Sequence, residues 1–135
     1  MNSINISILI PTYNEEKKIS KTLESVPNFF NEIIVYDKGS NDKTLEILKS
    51  YPNVIVKQIP FSNRGEENYR EVLSFTKNDW VFFVNAGEII PKRIFQFLSQ
   101  VIYKDSNIDL IMIPRKMYVF QVFFEESPWG IQYYP

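Results

Sequence analysis

The chain has 135 residues, enough for one domain with a real core, and its make-up of 44% hydrophobic and 23% charged residues is that of a globular protein. A formal charge of −1 excludes the basic excess of a broad nucleic-acid surface. The absence of cysteine and histidine excludes disulfides, thiolate chemistry and imidazole catalysis, so any metal must be held by oxygen, which points to Mg²⁺, Mn²⁺ or Ca²⁺. Ile4–Ile10 is a β-branched run closed by Pro11 and predicts a buried strand. Over Glu15–Val26, Ile19, Leu23 and Val26 recur at helical spacing, with Asn14 as N-cap. Glu32–Tyr36 is the second strand, and Asp42 caps a helix that turns Leu45 and Leu48 inward until Tyr51-Pro52 stops it. Val54–Ile59 is the third strand. A polar turn, FSNRGEEN, leads to a helix over about 66–76. Trp80–Val84 is apolar throughout, which predicts a central strand. Pro91 opens a helix carrying Ile94, Phe97, Leu98 and Val101, and Asp109–Ile113 is a fifth strand ended by Pro114.

This alternation predicts an α/β protein of parallel βαβ units with right-handed crossovers. The last 21 residues differ: seven aromatics, no helical period, a strand around Tyr118–Phe124 and a turn at Ser127–Gly130. They read either as a surface built to meet something else, including a second copy of the chain, or as a terminal strand on the sheet edge. No run approaches the roughly 20 apolar residues of a membrane span, and the N-terminus lacks signal-peptide features. A cytoplasmic protein is the expectation, with the inner membrane face as a peripheral location.

Ligands of open parallel sheets bind at the carboxyl ends of the strands. Three polar loops fall there: Pro11-Thr12-Tyr13-Asn14-Glu15, Asp37-Lys38-Gly39-Ser40-Asn41-Asp42, and Asn85-Ala86-Gly87-Glu88. Singly, each has an ordinary reading as turn, cap or solvated loop. Together they predict one crevice. No GxGxxG or GxxxxGK[ST] loop supports an unrelated dinucleotide or P-loop site.

The stretches ISILIPTYNEEKKISKTLESV, EIIVYDKGSNDKTLEILKSY and DWVFFVNAGEIIP resemble, in order and spacing, the nucleotide-sugar half of inverting family 2 glycosyltransferases, nearest the bacterial subgroup acting on lipopolysaccharide cores. The resemblance covers about residues 4–115. It implies a Rossmann-like GT-A three-layer sandwich, a mostly parallel central sheet with helices on both faces. It also implies a nucleotide-diphospho-sugar substrate, most simply UDP-linked, and a glycan or lipid-linked acceptor. By position, Pro11, Thr12, Tyr13 and Glu15 would lie against base and ribose, Asp37 would bond the uracil or its equivalent, Lys38 would join the nucleotide contacts, and Arg64 would join the base pocket. Asn85 and Ala86 would sit beside the diphosphate. The family's acidic strand-four motif, usually Asp-Ala-Asp-Glu, binds a divalent cation; here it reads Asn-Ala-Gly-Glu, leaving Glu88 and Asn85 as ligands for Mg²⁺ or Mn²⁺.

Across 1–135 the resemblance implies a single nucleotide-sugar-binding domain: a βαβ core over 1–114, then an aromatic-rich segment, 115–135, that begins an incomplete acceptor half. The catalytic base belongs to that half and is not assigned; Glu125 and Glu126 read as a solvated turn. Either the chain is part of a longer or partner-dependent transferase, or it is a non-catalytic relative acting as a binding module.

Overall fold

The structure is a computed structural model, and it describes residues 4–27, 30–61, 69–104, 107–116, 118–119, 122–123 and 131–132. The chain falls into two compact units, Met1–Phe97 and Leu98–Pro135. In the first, β1 (Ile4–Thr12), β2 (Phe30–Asp37), β3 (Val54–Gln58) and β4 (Trp80–Phe83) form a sheet in the order β3-β2-β1-β4. All three pairings are parallel, with Leu9 opposite both Ile34 and Phe83. Between the strands lie α1 (Ile19–Ser25), α2 (Thr44–Lys49) and α3 (Tyr69–Leu73).

Both faces of β1 and β2 are buried. Leu9, Ile34 and Tyr36 join Ile59 and Val72 in one cluster, with Phe75, Val81 and Phe83 packed on it. By alternation Ile8, Ile10, Ile33 and Val35 point the other way, and they are buried too. Near-continuous apolar runs are what a parallel sheet covered on both faces demands.

The predicted α/β order holds, with corrections in detail. β4 is an edge of the described sheet instead of a central strand, and its residues are half-buried. An apolar run reports which faces are covered, not where a strand stands in the hydrogen-bonding order. The centre belongs to β1 and β2, whose side chains are the more deeply buried. Asn14 does not cap α1, which begins four residues later than predicted, after Lys18. Its backbone is left-handed (φ 55°), and a turn in which Glu15 C=O accepts from Lys18 and Ile19 N–H precedes the helix.

Residues 109–113 form no strand: Leu110 and Met112 are exposed and the stretch has no ladder partner among the described residues. In α4 (Lys92–Lys104), Leu98 is buried but Phe97 is exposed. In place of one strand over 118–124, β6 (Tyr118–Val119) pairs antiparallel with β7 (Val122–Phe123), while β5 (Arg115–Lys116) pairs with β8 (Ile131–Gln132). The predicted turn at 127–130, Arg64, and the start of the helix expected over 66–76 lie outside the described residues.

Candidate functional site

The strand order places a topological switch between β1 and β4: the chain steps outward from β1 to β2 and β3, then returns to the other side of β1. Connections leaving β1 and β4 therefore diverge, and a crevice opens at their carboxyl ends. An open cleft of about 270 Å³ lies there, lined by Pro11, Thr12, Tyr13, Glu15, Lys38, Asn85 and Ala86. All three polar loops contribute to it.

The first two loops are stitched together. Thr12 stands opposite Asp37 in the β1–β2 register. The Thr12 hydroxyl donates to Asp37 Oδ1 (3.1 Å), and Lys38 N–H donates to the Thr12 carbonyl (2.9 Å). Asp37 is fully buried and accepts three further bonds, from the Ser40 hydroxyl and from the N–H groups of Gly39 (3.0 Å) and Ser40 (2.8 Å). Its carboxylate folds the loop over itself, and Gly39, at φ 87°, supplies the left-handed turn this requires. Asp37 does not line the cleft; it shapes the wall that Thr12 and Lys38 present.

Asn14 bridges from the other side. Its N–H donates to the Ser40 hydroxyl (2.8 Å), and its Oδ1 accepts from Asn41 (2.9 Å) and Asp42 (3.3 Å) N–H. Asn is among the few side-chain-bearing residues that tolerate the left-handed region this geometry needs. Asp42 does not take the N-cap position of α2, which falls to Lys43 with no side-chain cap bond; it stands one residue earlier, where its carboxylate accepts Thr44 N–H at 2.9 Å and Glu16 N–H at 3.1 Å. Desolvation pushes the Asp42 carboxyl upward, but bonds from the Thr44 side chain and from backbone N–H groups outweigh it and hold its pKa below the usual value.

The third loop is built around Gly87, at φ 96°. Gly87 N–H donates to the buried Thr22 hydroxyl of α1 (2.8 Å) and Ile90 N–H to the Ser25 hydroxyl (3.1 Å), which tie the turn after β4 to α1. Glu88 turns back on its own loop: Oε2 accepts Asn85 N–H (2.9 Å) and Oε1 accepts the Asn85 amide (3.4 Å). A divalent cation here would meet one carboxylate, already accepting two hydrogen bonds, and one amide. Among the described residues no three His, Cys, Asp or Glu side chains gather in a metal-binding group. This donor set does not by itself make a cation cage.

Two neighbours of the cleft escaped sequence reasoning. The half-exposed rings of Tyr13 and Phe61 pack at 4.8 Å with a 49° tilt. Phe61 follows the exit of β3 at the same sheet end, a placement that the strand pattern alone would have flagged. Lys18 lies over Gly87 and pairs with Glu15 (Nζ–Oε2, 3.3 Å). Its i+3 spacing from Glu15 suggests the pair, but nothing in the sequence signals the contact with Gly87.

Comparison with known proteins places these features. Residues 7–118 match the family model for glycosyl transferase family 2. The SPbeta prophage-derived glycosyltransferase SunS of Bacillus subtilis is 32% identical over 108 residues, which are 78% of this chain and 26% of SunS. The poly(ribitol-phosphate) beta-N-acetylglucosaminyltransferase TarS of Staphylococcus aureus is 30% identical over 122 residues, 84% of this chain and 21% of TarS. The structure of TarS 1–349 in complex with UDP-GlcNAc superposes with a TM-score of 0.67 at 28% identity, over 75% of this chain and 32% of that one. Glucosyl-3-phosphoglycerate synthase from Mycobacterium tuberculosis, in complex with Mn²⁺, UDP and phosphoglyceric acid, gives a TM-score of 0.59 at 29% identity, over 77% of this chain and 40% of that one. The fold is GT-A-like. The chain spans between about a fifth and a third of the length of the curated relatives it matches, and they do not single out the lipopolysaccharide-core subgroup. No helix among the described residues is long and apolar enough to cross a membrane.

Proposed function

The chain belongs to glycosyl transferase family 2, and we propose that it holds the nucleotide-diphospho-sugar, most simply a UDP-sugar, for inverting transfer to a polymer or glycan acceptor. The observation that carries this reading is the cleft at the β1/β4 switch, whose wall is made of the loops that carry the family motifs. Relatives whose structures hold UDP or UDP-GlcNAc support the nucleotide.

In this reading Tyr13 offers its exposed ring to the base, and Glu15 accepts from the ribose hydroxyls. Lys38, in the cleft lining beside Thr12, contributes a positive charge to the nucleotide site. Asp37 acts one step back, by fixing Thr12 and the Lys38 backbone. In the reaction an acceptor oxygen attacks the anomeric carbon from the face opposite the diphosphate. The carbon–oxygen bond to the diphosphate breaks, and its electron pair leaves with that group. The acceptor proton goes to a base that no residue of this chain is assigned to provide. Stabilising the charge on the leaving diphosphate is the task left to this cleft. Mg²⁺ or Mn²⁺, the cofactors the sequence leads one to expect, would meet Asn85 and Glu88 in this loop, a set too sparse to hold a cation by itself. The acceptor class, whether a poly(ribitol-phosphate)-like polymer, a lipopolysaccharide core or another glycan, belongs to what lies beyond this cleft.

Calorimetric titration with UDP, UDP-GlcNAc, UDP-glucose, ADP and GDP tests the assignment. Uridine nucleotides should bind roughly tenfold or more tightly than purine ones, a difference of about 1.4 kcal/mol. Tyr13→Ala should weaken them. Equal affinity for all five, or none for any, sinks the assignment.

A further inference from the structure

The geometry points to Lys18 as a built-in cation for the substrate diphosphate, taking over charge that the strand-four motif no longer gathers through a metal. This rests on the nucleotide-sugar reading above and deepens it. Two independent contacts place Lys18 at the cleft rim. Its ammonium lies 3.3 Å from Glu15, a cleft-lining residue, and its stem runs over the turn whose first two residues, Asn85 and Ala86, line the opposite wall.

The stem passes close enough to Gly87 that a side chain there would crowd it. A Cβ built on Gly87 would lie 3.1 Å from Lys18 Cδ, 3.6 Å from Cβ and 3.7 Å from Cγ. Gly87 also holds φ at 96°, which a side-chain-bearing residue resists. Glycine, standing where the family motif carries an acid, thus brings no anionic ligand and leaves the Lys18 stem uncrowded. Glu88 turns inward to Asn85 in the same loop. A half-exposed ammonium on a flexible stem can exchange Glu15 for a diphosphate oxygen without backbone movement. Lys38 lines the cleft itself, so Lys18 at the rim would act beside a lysine already in the lining.

The test compares UDP with uridine, both titrated into the 135-residue chain in EDTA and again with Mn²⁺. The wild type should bind both in EDTA, UDP the more tightly. Lys18→Met keeps the stem over Gly87 and should lower the UDP-to-uridine affinity ratio about tenfold, as expected for one charge-assisted contact, with uridine unchanged. Lys18→Arg should restore most of the ratio. Because Lys18→Met also leaves Glu15 unpaired, the same drop should appear in Glu15→Gln/Lys18→Met relative to Glu15→Gln. An unchanged ratio overturns the proposal while uridine binding keeps the nucleotide site. UDP binding that vanishes in EDTA and returns with Mn²⁺, indifferent to Lys18, overturns it as well. A wild type that binds neither compound, with or without Mn²⁺, brings down the nucleotide reading and this proposal together.

Discussion

Removing the Asp37 carboxylate should damage the protein far more than neutralising it. Asp37 is fully buried and accepts four hydrogen bonds, two from hydroxyls at Oδ1 and two from backbone N–H groups at Oδ2. In Asp37→Ala all four donors lose their partner in a site with little water. At about 0.5–1.5 kcal/mol each, the loss is roughly 2–6 kcal/mol. In Asp37→Asn the amide oxygen can keep the Oδ2 position and its two N–H donors. The NH₂ group then takes the Oδ1 position, where the Thr12 and Ser40 hydroxyls reverse and accept from it. The cost should be about 1 kcal/mol. Urea titrations followed by tryptophan fluorescence read both changes as shifts in midpoint at constant slope. The hydroxyl-reversal argument fails if Asp37→Asn is as damaging as Asp37→Ala. An Asp37→Ala midpoint close to wild type would refute the organising role itself.

Three further outcomes follow from the same loops. Gly87→Ala forces a left-handed residue at φ 96° against the Lys18 stem, so it should cost about 1–2 kcal/mol in the same urea assay, and an unchanged midpoint would count against the turn geometry. Because the Asp42 pKa is held below its ordinary 3.8, its contribution is full above that value and is lost as pH falls through the lowered folded-state pKa. Asp42→Asn should therefore flatten the fall in stability below about pH 4 relative to wild type; identical acid profiles would show that the Asp42 bonds do not couple to folding. For Tyr13 and Phe61, a double-mutant cycle on UDP affinity should give a coupling of about 0.5–1 kcal/mol, and strict additivity would remove Phe61 from the site.

The chain order of elements and the three loops were legible because a buried parallel sheet forces apolar runs, and polar breaks between them can only fall at strand ends. Ile8, Leu9, Ile10, Ile34 and Val35 announce themselves this way. What the pattern hides is the order of strands across the sheet: Trp80–Phe83 is as apolar as a central strand and yet stands at an edge of the described sheet. Asn14 illustrates a second limit. Its residue type suits an N-cap and a left-handed bridge equally, and only the bonds to Ser40, Asn41 and Asp42 decide between them. Residues 109–113 have the composition of a strand, but a strand also requires a partner, which a one-dimensional pattern does not supply. Gly87 was readable as a lost carboxylate; that a lysine stem passes beside it depends on the turn of α1 against the loop after β4.

The most direct measurement is a titration of the isotopically labelled chain with UDP, followed by amide chemical shifts. A nucleotide seated at the β1/β4 switch should move the amides of Thr12, Tyr13, Glu15, Lys38, Asn85 and Ala86 together along one saturable curve. Saturable shifts confined to other surfaces, or no shifts at millimolar UDP, would contradict a nucleotide site in this cleft.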